Sequence, residues 1–248
     1  MPDIAFINGR FLPWEEATVS IDDRGFQFGD AVYEVIRTYR GTPFEFAAHL
    51  ARLNRSVGEL SLCQPYTKAQ WTRWIQQGLS LAGYQDAKIY IQVTRGVAPR
   101  EHSFPADTLP TVVMTIREFH PLAPLAREEA KKAGVFETIL VRDGFVMEGA
   151  LSNVMAIQDG VVMTAPEGPR ILSGVTRTVV LELAKKDDIV IEERFIPLDV
   201  LYHADEVFLT GTTLEVLGVV QIDGRTIGSG QPGPITKTLA ARWALLTG

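Results

Sequence analysis

The chain has 248 residues, is 46% hydrophobic and carries a formal charge of −6, enough to bury one large core or two modest ones. No stripe of Lys and Arg interleaved with aromatics occurs, which argues against a nucleic-acid partner, and no apolar run is long enough to span a bilayer. The start Met1-Pro2-Asp3-Ile4 lacks the pattern of a secretory leader, and the single cysteine, Cys63, permits no internal disulfide, so a cytoplasmic setting is expected.

In chain order, Ile4 to Phe6 and Phe11 to Trp14 flank Asn8-Gly9, a hairpin signal. Ala31 to Tyr39 is rich in β-branched and aromatic residues and predicts a strand, turned back by Arg40-Gly41-Thr42-Pro43. Glu45 to Leu60 and Thr67 to Leu81 have helical periodicity, and Trp71, Trp74, Ile75 and Leu79 of the second read as core. Lys88 to Thr94 and Thr111 to Ile116 are further strands. Two prolines in 119–124 suggest a linker between a small domain, 1–118, and a larger strand-rich domain, 125–248. The second domain opens with a helical stretch, Leu125 to Ala133. It then has Asp143-Gly144, Asp159-Gly160 and Asp223-Gly224 between β-type runs, and helices over Thr176 to Lys186 and Ile235 to Leu246. The expected fold class is α+β, in two domains with a cleft between them.

Several segments carry chemistry. Glu148 ends one apolar run and is followed by Gly149-Ala150-Leu151-Ser152-Asn153 and a second run. A carboxylate so placed sits at the mouth of a buried sheet, beside backbone amides, a Ser and an Asn. It suits a protonated ring nitrogen, and a solvated acid fits the same residues equally. Ser173-Gly174-Val175-Thr176-Arg177 leads into a helix for which Thr176 is a good N-cap; this is either simple capping or a phosphate site. Thr210-Gly211-Thr212-Thr213 is a second hydroxyl-rich turn, either ordinary or close to a ligand. His49 and Arg52, three apart, share a helix face, solvated or phosphate-facing. Arg95 to His102 is a Gly/Pro loop, a surface turn or a clamp for a carboxylate. The four histidines show no metal spacing, and neither a Lys-Ser/Thr phosphate loop nor a Gly-x-Ser-x-Gly turn is present.

Over nearly its whole length the sequence resembles the fold type IV pyridoxal phosphate (PLP) enzymes. This class includes branched-chain aminotransferases, D-amino acid aminotransferases and aminodeoxychorismate lyase. The matching pieces are Asn8-Gly9, Asp23 to Asp30, Tyr33-Glu34, His49 with Arg52, Glu148-Gly149 with Ser152-Asn153, Leu172 to Arg177, and Thr210 to Glu215. Tyr33 with Arg100-Glu101-His102 is most similar to the D-amino acid aminotransferase subgroup, where such residues trap the substrate α-carboxylate, Arg and His coming from the partner subunit. The resemblance therefore implies a homodimer. It also implies that Glu148 pairs with the pyridine nitrogen, that Arg52, Val175, Thr176 and Thr212 hold the phosphate, and that Leu172 supports a ring face.

The same resemblance calls for a catalytic lysine on a strand just before the helix at Leu125. Here Pro121-Leu122-Ala123-Pro124 runs almost directly into that helix, so the strand has no counterpart. Lys131 and Lys132 fall further along, and Lys68, Lys88, Lys185, Lys186 and Lys237 lie in other motifs, which leaves the catalytic residue unknown. Loss of that strand should leave its neighbours unpaired and open the second core. Three functions follow. The first is a transaminase between a D-amino acid of the D-alanine type and a 2-oxo acid of the 2-oxoglutarate type, impaired by the loss or served by a substitute base. The second is a non-catalytic relative that binds PLP or amino acids. The third is a branched-chain aminotransferase or lyase-like activity, against which Tyr33, Arg100 and His102 argue.

Overall fold

The computed structural model describes residues 3–120 and 136–248, and the chain divides into two units, Met1–His120 and Pro121–Gly248. The helix expected from Leu125, with Lys131 and Lys132, and the prolines of the expected linker lie outside the described residues.

In the first unit, β1 (Ile4–Ile7) and β2 (Arg10–Leu12) are joined through Asn8 and Gly9 at φ 48° and 89°, the left-handed pair that a two-residue hairpin requires. The strand expected to reach Trp14 stops at Leu12. Pro13 has no N–H for a ladder, and Trp14–Glu16 wind into a 3-10 turn. A short helix, α1 (Arg24–Phe28), is capped by Asp23 and closed by Gly29 at φ 66°. Then come β3 (Ala31–Tyr39), β4 (Thr42–Pro43), α2 (Phe46–Glu59), α3 (Lys68–Ala82), β5 (Ala87–Thr94) and β6 (Val112–Glu118). Thr67 and Gln70 form a reciprocal capping box at the start of α3.

These strands make one antiparallel sheet, ordered β2-β1-β6-β5-β3-β4. Strand alternation gives it two unlike faces. Val32, Ile36, Ile89, Ile91 and Val93 point to a core closed by Leu50, Leu53 and Val57 of α2 and Trp71 and Ile75 of α3. Each such buried side chain contributes roughly 1.5–3 kcal/mol. The other face carries Tyr33, Tyr90 and Gln92, which are half-buried or exposed.

In the second unit, Asp-Gly pairs at positive φ make three hairpins: β7 (Ile139–Arg142) with β8 (Phe145–Gly149), β9 (Asn153–Gln158) with β10 (Val161–Thr164), and β15 (Gln221–Ile222) with β16 (Arg225–Thr226). Between and after them run α4 (Val175–Lys186), β11 (Ile191–Glu193), β12 (Ile196–Pro197), α5 (Leu198–Tyr202), β13 (Glu206–Gly211), β14 (Glu215–Val219) and α6 (Pro234–Thr247). Two main sheets result, β11-β10-β9-β13-β14 and β12-β8-β7. Val154, Ala156, Val207 and Leu209 fill the core between them with Val146, Ile196 and Leu201.

Two features differ from the sequence reading. Thr176 is not the N-cap of α4: Gly174 is, two residues earlier, because the helix already begins at Val175, and a Cβ on Gly174 would collide with Oδ1 of Asn153. The one-turn helices α1 and α5 carry too few residues for a periodic signal. At the edge of its sheet, β7 pairs among the described strands with β8 alone, and it leaves Leu140 and Val141 46% and 43% exposed.

Candidate functional site

In the second unit the candidate residues gather where four elements end or begin. Glu148 is the penultimate residue of β8, and its Oε2 accepts a bond from the backbone N–H of Leu172 at 2.8 Å. Asn153, the first residue of β9, donates through Nδ2 to the carbonyl of Leu172 at 2.9 Å and more weakly to Glu148 Oε2 at 3.4 Å. Asn153 thus ties the acid to the turn that opens α4. The Ser152 hydroxyl donates to Glu137, because Gly149 and Ser152 close a tight turn against that side chain. Thr210 of β13 is registered opposite Asn153, which puts Gly211 beside the carbonyl of Leu151 and starts the Thr212 turn there.

Burial disfavours the charged form of Glu148 and raises its pKa, an effect only partly offset by the Leu172 amide. Beside this half-buried acid, the apolar side chain of Leu172 stands 53% exposed. At the start of α4, Gly174 supplies no side-chain cap and the first turn holds no acidic residue, so Val175 and Thr176 lie at a helix end suited to an anion.

In the first unit, His49 and Arg52 do not face solvent. Both turn onto Glu34, a β3 residue that is 2% exposed. Arg52 donates through Nε to Oε1 at 2.6 Å and through Nη2 to Oε2 at 2.8 Å. His49 Nδ1 lies 2.8 Å from Oε2, which as a carboxylate oxygen accepts, so that nitrogen carries the proton. Burial alone would raise the pKa of Glu34, but the bonds from Arg52 and His49 outweigh it and hold the pKa low. Glu34 fixes the orientation of Arg52. Tyr33, the preceding residue, points to the opposite face, where it stacks on Tyr90 at 5.9 Å.

Arg100 and His102 are exposed, on the loop after β5. The guanidinium of Arg100 lies 5.2 Å from the centre of the Phe28 ring, and the His102 ring meets the same phenyl edge-on at 5.7 Å. One aromatic residue of α1 therefore backs both groups. Asn153, Glu34 and Arg24 take part in this network, and sequence reasoning gave them no role of their own. Their partners lie from 5 to 77 residues away, at spacings that follow no single local pattern.

Comparison with known proteins decides the family. The model described as amino-transferase class IV matches residues 31–128 and 123–222. The chain belongs to the class IV aminotransferases. This aminotransferase is 38% identical over 262 aligned positions to the D-alanine aminotransferase of Bacillus licheniformis, covering 94% of this chain and 93% of that one. Among solved structures, its fold is like that of the Escherichia coli branched-chain amino acid aminotransferase, with a TM-score of 0.92 over 100% of this chain and 95% of that one, at 24% identity. It is also similar to a T.th. branched-chain amino acid aminotransferase complexed with N-(5'-phosphopyridoxyl)-L-glutamate, at a TM-score of 0.84 and 28% identity over 97% and 92% of the two chains. No helix among the described residues of the aminotransferase is long and apolar enough to cross a membrane.

Proposed function

We propose that this class IV aminotransferase is a PLP-dependent, homodimeric, cytoplasmic enzyme that exchanges an amino group between a D-amino acid of the D-alanine type and a 2-oxo acid of the 2-oxoglutarate type. The observation that carries the cofactor is the join between Glu148, Leu172 and the start of α4: one acid, one exposed apolar side chain and one helix end suited to an anion, on a single bonded turn. That donor set fits PLP. By resemblance, Val175, Thr176, Thr212 and Arg52 would hold the phosphate, Glu148 would keep a proton on the ring nitrogen, and Leu172 would support a ring face. Bound there, the cofactor supplies an electron sink for negative charge developing at the substrate Cα.

Tyr33, Arg100 and His102 hold the α-carboxylate, with Arg100 and His102 reaching the partner's site. The D-alanine assignment is supported by that trio and by the similarity to the D-alanine aminotransferase of Bacillus licheniformis. The exposed single thiol of Cys63 suits a reducing compartment.

A second reading, a relative that binds without turnover, is favoured by one observation. The alignment to the Bacillus protein is longer than the 248 residues of this chain, so it opens gaps here, in keeping with a shortened centre and no assigned lysine. Loss of a general base commonly costs about 10²–10⁴-fold in rate. Incubation with PLP, borohydride reduction and mass mapping separate the readings. A reduced adduct on a lysine and turnover of D-alanine with 2-oxoglutarate support the enzyme. PLP retention with neither supports the binder, and no retention of PLP sinks both.

A further inference from the structure

The loop that carries Arg100 and His102 is held by a second segment, 22–30. The N–H of Ala98 donates to the carbonyl of Asp22 at 3.3 Å, that of Arg24 to Gly96 at 2.9 Å and that of Arg95 to Asp30 at 3.1 Å. Beyond Ala98, the support from this segment comes from the side chains of Arg24 and Phe28. Arg24, 2% exposed, donates through Nη1 to the carbonyl of Glu101 at 2.8 Å, between Arg100 and His102 in sequence. Its Nε donates to Asp30 Oδ2 at 3.0 Å, and its guanidinium lies over Phe28 at 4.6 Å, the ring that backs Arg100 and His102. Asp30 is further gripped by Arg95 through two bonds, at 2.7 and 3.1 Å. A planar fork is required here. One arm neutralises Asp30, another fixes the peptide oxygen between the two exposed groups, and the flat face sets the phenyl plane. A lysine ammonium is a point charge that cannot fill all three roles.

We infer that Arg24 is the positioning residue of the Arg100–His102 pair, orienting through Glu101 and Phe28 the groups that select a carboxylate. The inference rests on the proposed carboxylate role of Arg100 and His102. A polar group buried this deeply has its bonds fixed by its surroundings, so the loop inherits one conformation while its two exposed tips, Arg100 and His102, stay open to ligand.

The test uses the full-length protein with PLP and propanoate, a carboxylate with no amine or ketone to react. Arg24→Lys is expected to weaken propanoate binding about tenfold, the loss of one charge-assisted contact, while PLP affinity stays within about twofold of the parent. Backbone hydrogen exchange over 98–104 should quicken. A merely structural role would move PLP affinity and exchange throughout the unit together. If Arg24→Lys does not fold, Phe28→Leu, which leaves the Arg24–Asp30 pair in place, is expected to give the same split. Unchanged propanoate affinity and unchanged loop exchange in the folded variant overturn the inference. Arg100→Ala tests the underlying reading separately. If propanoate binds Arg100→Ala as tightly as the parent, the carboxylate role itself is wrong, whatever Arg24 does to the loop.

Discussion

Leu172 and Glu148 are joined by a backbone-to-carboxylate bond of 2.8 Å that spans 24 residues of chain. It links the end of β8 to the turn before α4, and Asn153 closes the triangle by bonding both. The acid is thus held by the same contacts that shape the helix entry.

Holding Glu148 half-buried has a cost visible in its pH dependence. Its folded pKa lies above the usual Glu value of 4.5, so the fold favours the protonated form. The associated stability is present below that value and lost as pH rises through the folded pKa. Glu148→Gln keeps an oxygen for the Leu172 amide and removes the charge. Without PLP, the variant should melt above wild type at pH 7, with the gap closing below about pH 4. It should also bind PLP more weakly, since a neutral amide does not hold a ring proton. Thermal unfolding at both pH values and a PLP titration check this; a gap that widens on acidification contradicts it.

Glu34 behaves in the opposite sense. Its folded pKa is lowered, so its stabilisation is present above the usual value of 4.5 and lost as pH falls through the folded value. Glu34→Gln leaves the part-buried Arg52 without its counter-charge and should cost about 3 kcal/mol at pH 7. In urea titrations the difference from wild type should shrink towards pH 3, roughly a unit below where glutamate ordinarily titrates. A constant difference across that range would mean that the loss comes from packing alone.

Glu206 caps α6 from another strand: its carboxylate accepts the N–H groups of Ile235 and Thr236 at 3.0 and 2.8 Å. Glu206→Ala should cost about 2 kcal/mol. Gly233→Ala would drive a Cβ into the same carboxylate and displace the cap. Measured together by chemical denaturation, the two substitutions should cost clearly less than their sum, because each removes the same two bonds. Additive losses would show that Gly233 acts independently of Glu206.

The readable parts of the fold are local in origin. Asn8-Gly9, Asp143-Gly144, Asp159-Gly160 and Asp223-Gly224 were legible as turns because few other pairs adopt two successive positive φ angles without strain, and the chain takes them there. The boundaries of α2 and α3 fall within a residue of expectation because apolar periodicity and a capping Thr67 mark them. The start of α4 was missed by one residue because what selects Gly174 as cap is the side chain of Asn153, 21 positions away, and not the hydroxyl of Thr176.

By itself the sequence determined the family, the α+β class and most of the residues gathered at the candidate site, since motif order, turn chemistry and helical period are written in neighbouring residues. Only the tertiary structure decided that His49 and Arg52 turn inward onto Glu34, that Asn153 binds Glu148 to the α4 turn, and that Arg24 reaches the peptide between Arg100 and His102. The reason is physical. A buried polar group must find its partner wherever the fold brings one, and Arg24 meets Glu101 across 77 residues of chain.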